Sequence, residues 1–412
     1  MSTTQSPIDS SAPAARSRFT LPAPVAFVGS AIAFTSLYLA AGAPTPLLPL
    51  YQDEWNFPAV VLTAAFAAYA GGFLAALLTA GSLSDHIGRR PVLIGALLVQ
   101  FVSTIMFILA PDAGWVIAAR VVQGIATGAA TSAFSASLAE LAPVKHKKLG
   151  AILGSVAVTG GLALGALLAG LAIEFTPSPN GLIFTVLAVI AVLGIIVVAL
   201  TPESATRRPG AWRSLIPRMA VAAAARKEFA AAAPVIAATW MLGGLSLGLA
   251  PTLVRNVFEV DSALVNGLVG FVASAASAVS GIVFSRLAPR AGIKLGIYAA
   301  AVAAIGNVTS VLTGTLVLMV VSFVIGGIGF GSAFSASLRL IMPLTDAQHR
   351  AGTIASVFVV AYIAFGLPVV LVGLLAAPLG FPTTIVGYGA VILLLVLIGL
   401  IAQFRITRTA RA

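Results

Sequence analysis

The sequence predicts an all-α membrane protein with twelve transmembrane helices in two pseudo-symmetric six-helix bundles, and three observations carry that expectation. Of 412 residues, 59% are apolar and 8% are charged, whereas a soluble domain carries about 25% charged residues. Such a chain cannot clothe a water-facing surface. The apolar residues are gathered into runs that can each cross a hydrocarbon core, which takes about 20 residues of helix. A seven-residue stretch in the first half also recurs unchanged in the second.

The runs lie near 24–46, 59–81, 91–110, 115–139, 150–173, 182–201, 233–254, 263–285, 294–313, 316–340, 353–376 and 384–404. They lack the period-2 alternation of a transmembrane barrel, and helices keep every backbone hydrogen bond inside the segment, as lipid demands. The first run ends in Ala41-Gly42-Ala43, which looks like a signal-peptide cleavage site. It is longer than a signal peptide's apolar region and many spans follow it, so it reads as an uncleaved first helix. Pro44, Pro46 and Pro49 break its outer end, and Pro368 interrupts the eleventh span.

An even number of spans puts both termini on one side. On that side lie 21 of the 23 lysines and arginines; Arg255 alone lies on the other, and Arg120 sits inside a span. Positive charge stays cytoplasmic, so both ends are expected inside a plasma membrane. The net charge of +11 therefore sets orientation and implies no nucleic acid. The expected organisation is a disordered cytoplasmic tail over 1–22, a first bundle over 23–201, a basic linker over 202–232, a second bundle over 233–404 and a tail over 405–412.

The repeat supports two related halves. Ser132-Ala133-Phe134-Ser135-Ala136-Ser137-Leu138 returns as Ser332-Ala333-Phe334-Ser335-Ala336-Ser337-Leu338, and Pro143 and Gly81 match Pro343 and Gly281 at the same offset. Both copies end the fourth helix of their half. Many transporters are built from such repeats, with the substrate site between them.

Function classes are excluded by what is missing. There is no cysteine, so no disulfide or Cys-based metal site. His86, His146 and His349 fall in separate polar connections. No nucleotide-binding loop is present, nor any Ser/His/Asp or metal-ligand constellation. No enzyme activity, metal or cofactor is expected, and no carboxylate stands in the middle of a span.

The polar loop 81–93 joins the second and third spans. Its Gly81-x-Leu83-x-Asp85-x-x-Gly88-Arg89-Arg90 resembles the G-x-L-x-D-x-x-G-R-[KR] signature of major facilitator superfamily transporters. Gly88 permits the tight turn. The resemblance implies that Asp85, Arg89 and the acid ending the fourth helix, Glu140, form a charge cluster that latches the two halves in the outward-open state. Arg120-x-x-Gln123-Gly124 resembles the family's R-x-x-Q-G motif of helix 4, associated with proton coupling or substrate contact. An arginine at depth costs at least about 2.5–3.5 kcal/mol and is a functional candidate by default; the competing reading is that it snorkels to the surface. Gly161-x-x-x-Gly165-Ala166-x-x-Ala169-Gly170 resembles the antiporter motif G-x-x-x-G-P-x-x-G-G with two replacements, and such spacing equally serves close helix packing.

Thr35 and Tyr38 share a face of the first helix with Gly42. With Tyr69, Trp240, Asn266 and Tyr362 of other spans they are candidates to line a substrate cavity. The combined expectation is a monomeric, lipid-embedded secondary transporter that exports a small solute by alternating access, coupled to protons. Uptake or facilitated diffusion of a sugar or organic acid is the alternative, and a non-transporting receptor or scaffold is the reading from another class.

Overall fold

The computed structural model describes residues 20–205, 208–217, 219–346 and 349–409. Most of the expected tail 1–22, and Arg207, Arg218 and Arg411 of the basic count, lie outside them. Among the described residues, twelve helices are long and apolar enough to span a membrane: α1 (Ala23–Trp55), α2 (Ala59–Ala80), α3 (Arg89–Ile108), α4 (Ala113–Leu141), α5 (Lys148–Phe175), α6 (Pro179–Leu200), α7 (Ala223–Asn256), α8 (Ala263–Arg286), α9 (Pro289–Thr313), α10 (Leu316–Leu344), α11 (Arg350–Leu379) and α12 (Phe381–Ile406). They alternate between a face carrying both chain ends, here the terminal face, and an opposite far face. No strand occurs among the described residues.

Local chemistry sets the ends. Asp112 caps α4, its Oδ1 accepting from Trp115 N at 2.8 Å, and the Trp115 indole N–H donates to Met106 O of α3 at 2.8 Å. Ser262 caps α8 by accepting from Val265 N at 3.3 Å. Each cap satisfies an amide with no partner within its own helix.

Three boundaries differ from the expected ones. The linker was expected to reach 232, but helix resumes at Arg226 after a short 3-10 turn, because the Ala-rich stretch is a strong helix former that continues into the span. The final helix runs on to Thr409, through much of the expected tail. α11 passes Pro368 without a break; one missing N–H is tolerated where neighbouring helices support the backbone. α1 does break, at Ala43. Its counterpart α7 widens into a π-turn over Leu245–Leu249, so both lead helices are distorted near the same depth.

The two halves pack alike. In the first, α1 lies against α4, α5 and α6, α4 against α2 and α3, and α3 against α6. The second repeats every pair, with α7 against α10, α11 and α12, α10 against α8 and α9, and α9 against α12. Between halves, α5 packs on α8 and α2 on α11, a pair of contacts that exchange with each other under the same pseudo-twofold. The repeated motifs obey it too: Phe134 stacks on Phe34 of α1 at 5.1 Å, and Phe334 meets Trp240 of α7 edge-on at 5.4 Å.

Lipid supplies no hydrophobic drive between helices, so small residues and polar contacts must hold them. Gly161 and Gly165 bring α5 against the α1 backbone at Thr35 and Leu39. Gly170 faces Gly267 across the bundles, where a Cβ on either would stand 2.9–3.0 Å from the other's Cα.

Candidate functional site

On the terminal face, Gly88 turns the chain into α3 at φ +102°, a conformation open to glycine. The turn exposes the first amides of α3, and one carboxylate takes both: Arg89 N donates to Glu203 Oε1 at 2.9 Å and Arg90 N to Glu203 Oε2 at 3.1 Å. A negative group at a helix N-terminus is favoured by the helix dipole. The Arg89 guanidinium then bridges the two expected acids, reaching Asp85 Oδ1 at 2.5 Å and Glu140 Oε1 at 3.1 Å. Ser204 Oγ donates to Glu140 Oε2 at 2.5 Å, and Ser132 of the repeated motif donates to Gly81 O at 2.5 Å.

The linker docks on this loop. Arg208 N donates to His86 O at 3.0 Å, and Ser82 Oγ to Ser214 O at 3.2 Å. Thus Gly81, Asp85, Gly88, Arg89, Arg90 and Glu140 do meet in one place, with Arg90 contributing its backbone. Every partner named here belongs to the first bundle or the linker. Glu203 escaped the sequence reading; its signal was an acid directly after a span, on a face otherwise crowded with arginines.

The second half holds a chemically altered copy. Arg290 pairs with Glu228 at 2.5 Å and reaches Gln403 Oε1 at 3.5 Å, so positions 90 and 203 are echoed by 290 and 403 at the repeat offset. Arg339 of α10 donates to Ser285 O and Leu287 O at 2.7 and 2.9 Å, using loop carbonyls where the first half uses a carboxylate.

Inside the first bundle, Arg120 is 3% exposed, so it does not snorkel to the surface. Its Nη1 donates to Ala41 O at 3.0 Å and to Gln123 Oε1 at 2.5 Å, and the guanidinium lies 4.4 Å from the Tyr69 ring centroid. Gln123 Nε2 donates to Ala40 O at 2.8 Å. The reason lies in α1. A helical carbonyl is satisfied by the amide four residues on, but residue 44 is proline and has none. Pro44 frees the Ala40 carbonyl, and the side chain of Gln123 takes it. None of the ion pairs among the described residues includes Arg120.

At the bundle interface, Tyr38 shares a 2.9 Å hydrogen bond with Thr131. Tyr69 leads through Phe73 to Tyr362 of α11, stacked on Phe73 at 4.1 Å. Tyr362 in turn contacts Trp240 at 4.9 Å. Tyr69, Trp240 and Tyr362 are therefore neighbours, and Tyr38 lies close to Tyr69 and Tyr362. The Thr35 hydroxyl returns to Ala31 O of its own helix at 2.8 Å. Asn266 lies apart, near the far end of α8 beside the Gly170–Gly267 contact. The phenylalanines that surround Trp240 were also missed, because an aromatic in an apolar span gives no periodic signal of what it faces.

The far face is tied across the bundles. Arg255 of α7 pairs with Asp53 of α1 at 2.7 Å, and Leu264 N of α8 donates to Glu174 Oε2 of α5 at 3.4 Å.

Two homologous six-helix bundles meeting over a buried polar and aromatic interface define a class, the polytopic secondary transporters. The Major Facilitator Superfamily profile matches residues 30–362, and the chain belongs to that family. A stretch of 87 residues, 21% of this chain, is 36% identical to the putative metabolite transport protein YwtG of Bacillus subtilis. A stretch of 81 residues, 20% of this chain, is 31% identical to the multidrug resistance protein MdtL of Citrobacter koseri. These stretches span only 19% and 21% of the relatives' own lengths. Among solved structures, a POT family transporter in complex with 5-aminolevulinic acid superposes with a TM-score of 0.75 at 12% identity, covering 93% of this chain and 96% of that one. The human organic anion transporter MFSD10 (TETRAN) gives 0.65 at 16% identity, covering 92% and 100%. These two likenesses concern the fold.

Proposed function

We propose that the chain is a proton-coupled exporter of a small solute, working as a monomer by alternating access in the plasma membrane with both termini cytoplasmic. One observation carries the alternating-access part. The polar ties between bundles described above, the Asp53–Arg255 pair and the Glu174–Leu264 bond, gather at the far face, while the terminal-face charges close on the first bundle and its linker. That asymmetry is what one of two end states should have. In the opposite state, the Asp85–Arg89–Glu140 cluster engages the second bundle and acts as a latch.

Export is supported by the stretch shared with a multidrug resistance protein. Proton coupling is supported by the resemblance of Arg120-x-x-Gln123-Gly124 to the family's helix-4 motif and by the burial of that pair. Orientation is supported by the gathering of basic residues on the terminal face. Uptake of a metabolite is the second reading, favoured by the stretch shared with a putative metabolite transport protein.

The test is flux in proteoliposomes across a panel of solutes, with and without an imposed pH gradient. Export predicts that overexpression lowers cellular accumulation and that a protonophore abolishes the effect. Uptake predicts growth on the solute. Binding without any flux points to a receptor and ends the transport proposal. Asp85→Asn should slow flux while leaving folding intact; unchanged flux removes the latch.

A further inference from the structure

The aromatic residues at the bundle interface form a wall with an unmet chemical demand. Trp240 is its hub, with Phe330, Phe334 and Phe358 around one side at 5.1, 5.4 and 6.4 Å and Tyr362 at 4.9 Å. The indole is 7% exposed, and its N–H meets no acceptor. Tyr69, 4% exposed, has a buried hydroxyl in no well-formed hydrogen bond, with the Thr127 side chain beside it. A buried donor left unpaired costs about 1–3 kcal/mol, and the hydrocarbon around a bundle holds no water to offset it. Indole N–H can only donate. What is missing beside Trp240 is therefore an acceptor.

The wall is also divided. Phe73 belongs to the first bundle and Tyr362 to the second, and they stack nearly parallel, 11° apart in plane, at 4.1 Å. If the bundles part there, each ring loses a planar partner, and a planar solute replaces it with the same geometry. Aromatic walls can also hold cations, but the Arg120 guanidinium already lies against the Tyr69 ring, and the described residues include no buried aspartate or glutamate to pair with a cation there. A positively charged solute would meet like charge and no counter-ion.

We infer that the interface around Trp240, Tyr69 and the Phe73–Tyr362 stack binds a planar aromatic solute that carries a hydrogen-bond acceptor and no positive charge. This rests on the transporter reading, and names the chemical class of its substrate.

The experiment measures equilibrium binding to the full chain in nanodiscs by calorimetry, using four probes. Coumarin is planar, neutral and acceptor-only. Salicylate is planar and anionic. Cyclohexanecarboxylate keeps the acceptor without the aromatic ring, and ethidium keeps the plane but is cationic. Coumarin or salicylate should bind at least ten-fold more tightly than the other two. Trp240→Phe keeps a ring and removes only the N–H; it should weaken that binding about five-fold without lowering thermal stability in the absence of probe. Tyr69→Phe should act in the same direction. The inference is overturned if neither aromatic acceptor binds, if cyclohexanecarboxylate or ethidium binds as well, or if Trp240→Phe binds like the parent. Flux is read separately. Selective binding without flux leaves the site standing and removes the transporter reading; flux confined to the saturated acid or the cation does the reverse.

Discussion

The contact between Gly170 of α5 and Gly267 of α8 makes the sharpest prediction, because it lies between bundles instead of within one. A Cβ at position 267 would stand 2.7 Å from Ala166 O and 3.0 Å from Gly170 Cα. Both are backbone atoms, so no side chain can turn aside. To restore ordinary contact at 3.4 Å the helices must part by about 0.7 Å. Overpacking of this kind costs about 1–3 kcal/mol. The cost falls only on the state in which α5 and α8 touch at the far face. Gly267→Ala should therefore shift the balance of states away from far-face closure by about 5- to 150-fold. The chain has no cysteine of its own, so spin labels on Glu54→Cys and Asn256→Cys, both exposed near the far face, report the separation directly. The Gly267→Ala protein should show a longer distance population. Gly327→Ala is the control. Its Cβ would meet Ala273 O at 2.2 Å, within the second bundle, so it should lower stability without moving the labels. An unchanged distance distribution in Gly267→Ala, or an equal shift in Gly327→Ala, refutes the reasoning.

Asp53→Asn or Arg255→Ala should act in the same direction but weakly, since the pair is a third to a half exposed and such pairs are worth about 0.2–1 kcal/mol. A shift of five-fold at most, smaller in high salt, is expected from the same labels. Gly88→Ala should destabilise the terminal-face loop twice over, through its φ of +102° and because the new Cβ would stand 2.5 Å from Glu203 Oε2. Glu203→Gln should lose about 0.3–1 kcal/mol of favourable charge at the helix N-terminus, measured as faster hydrogen exchange in the first turn of α3. Gln123→Ala should lower thermal stability by about 1–3 kcal/mol by stranding the Ala40 carbonyl. Pro44→Ala restores an amide to that carbonyl, so the double variant should recover the part of the loss due to the carbonyl, while the acceptor lost by Arg120 stays lost; additive losses in the four-protein cycle would rule out the pairing.

How much of this was legible in the sequence depended on the kind of signal. Span number, two halves and the basic face follow from composition and repeat, because lipid permits few alternatives. Arg89 meeting Asp85 and Glu140 was readable only through a resemblance, since residues 85 and 140 lie far apart in the chain. Glu203 was not read, because a cap is defined by where another helix begins. Pro44 was seen as a break, but not as the cause of the Gln123 contact, which needs the carbonyl's position in space. The linker's end was misplaced because an alanine run reads the same at a membrane surface as inside a span. Thr35 was proposed from the face it shares with Tyr38 and Gly42 and Asn266 from its polarity within a span, and a polar side chain in a helix is as readily spent on its own backbone, as the Thr35–Ala31 bond shows for the first.

The repeat itself explains why the two halves are not interchangeable. Within α4 and α10, aligned by their shared motif, Arg120 and Gln123 stand where the second half has Val320 and Phe323. The polar pair that grips the broken helix in the first bundle thus has no chemical counterpart in the second. α7 has no proline at the position matching Pro44 and meets the same depth with a π-turn over Leu245–Leu249, with Pro251 just after it. In its place the second bundle presents Trp240 backed by Phe330 and Phe334. Duplication supplied the frame, and divergence set a buried guanidinium, Arg120, in the first bundle and the Trp240 indole with its phenylalanines in the second, with aromatic rings contributed from both sides. On the inference drawn above, this asymmetry is what would let the site distinguish a flat, acceptor-bearing solute from a cation, which two identical halves could not do.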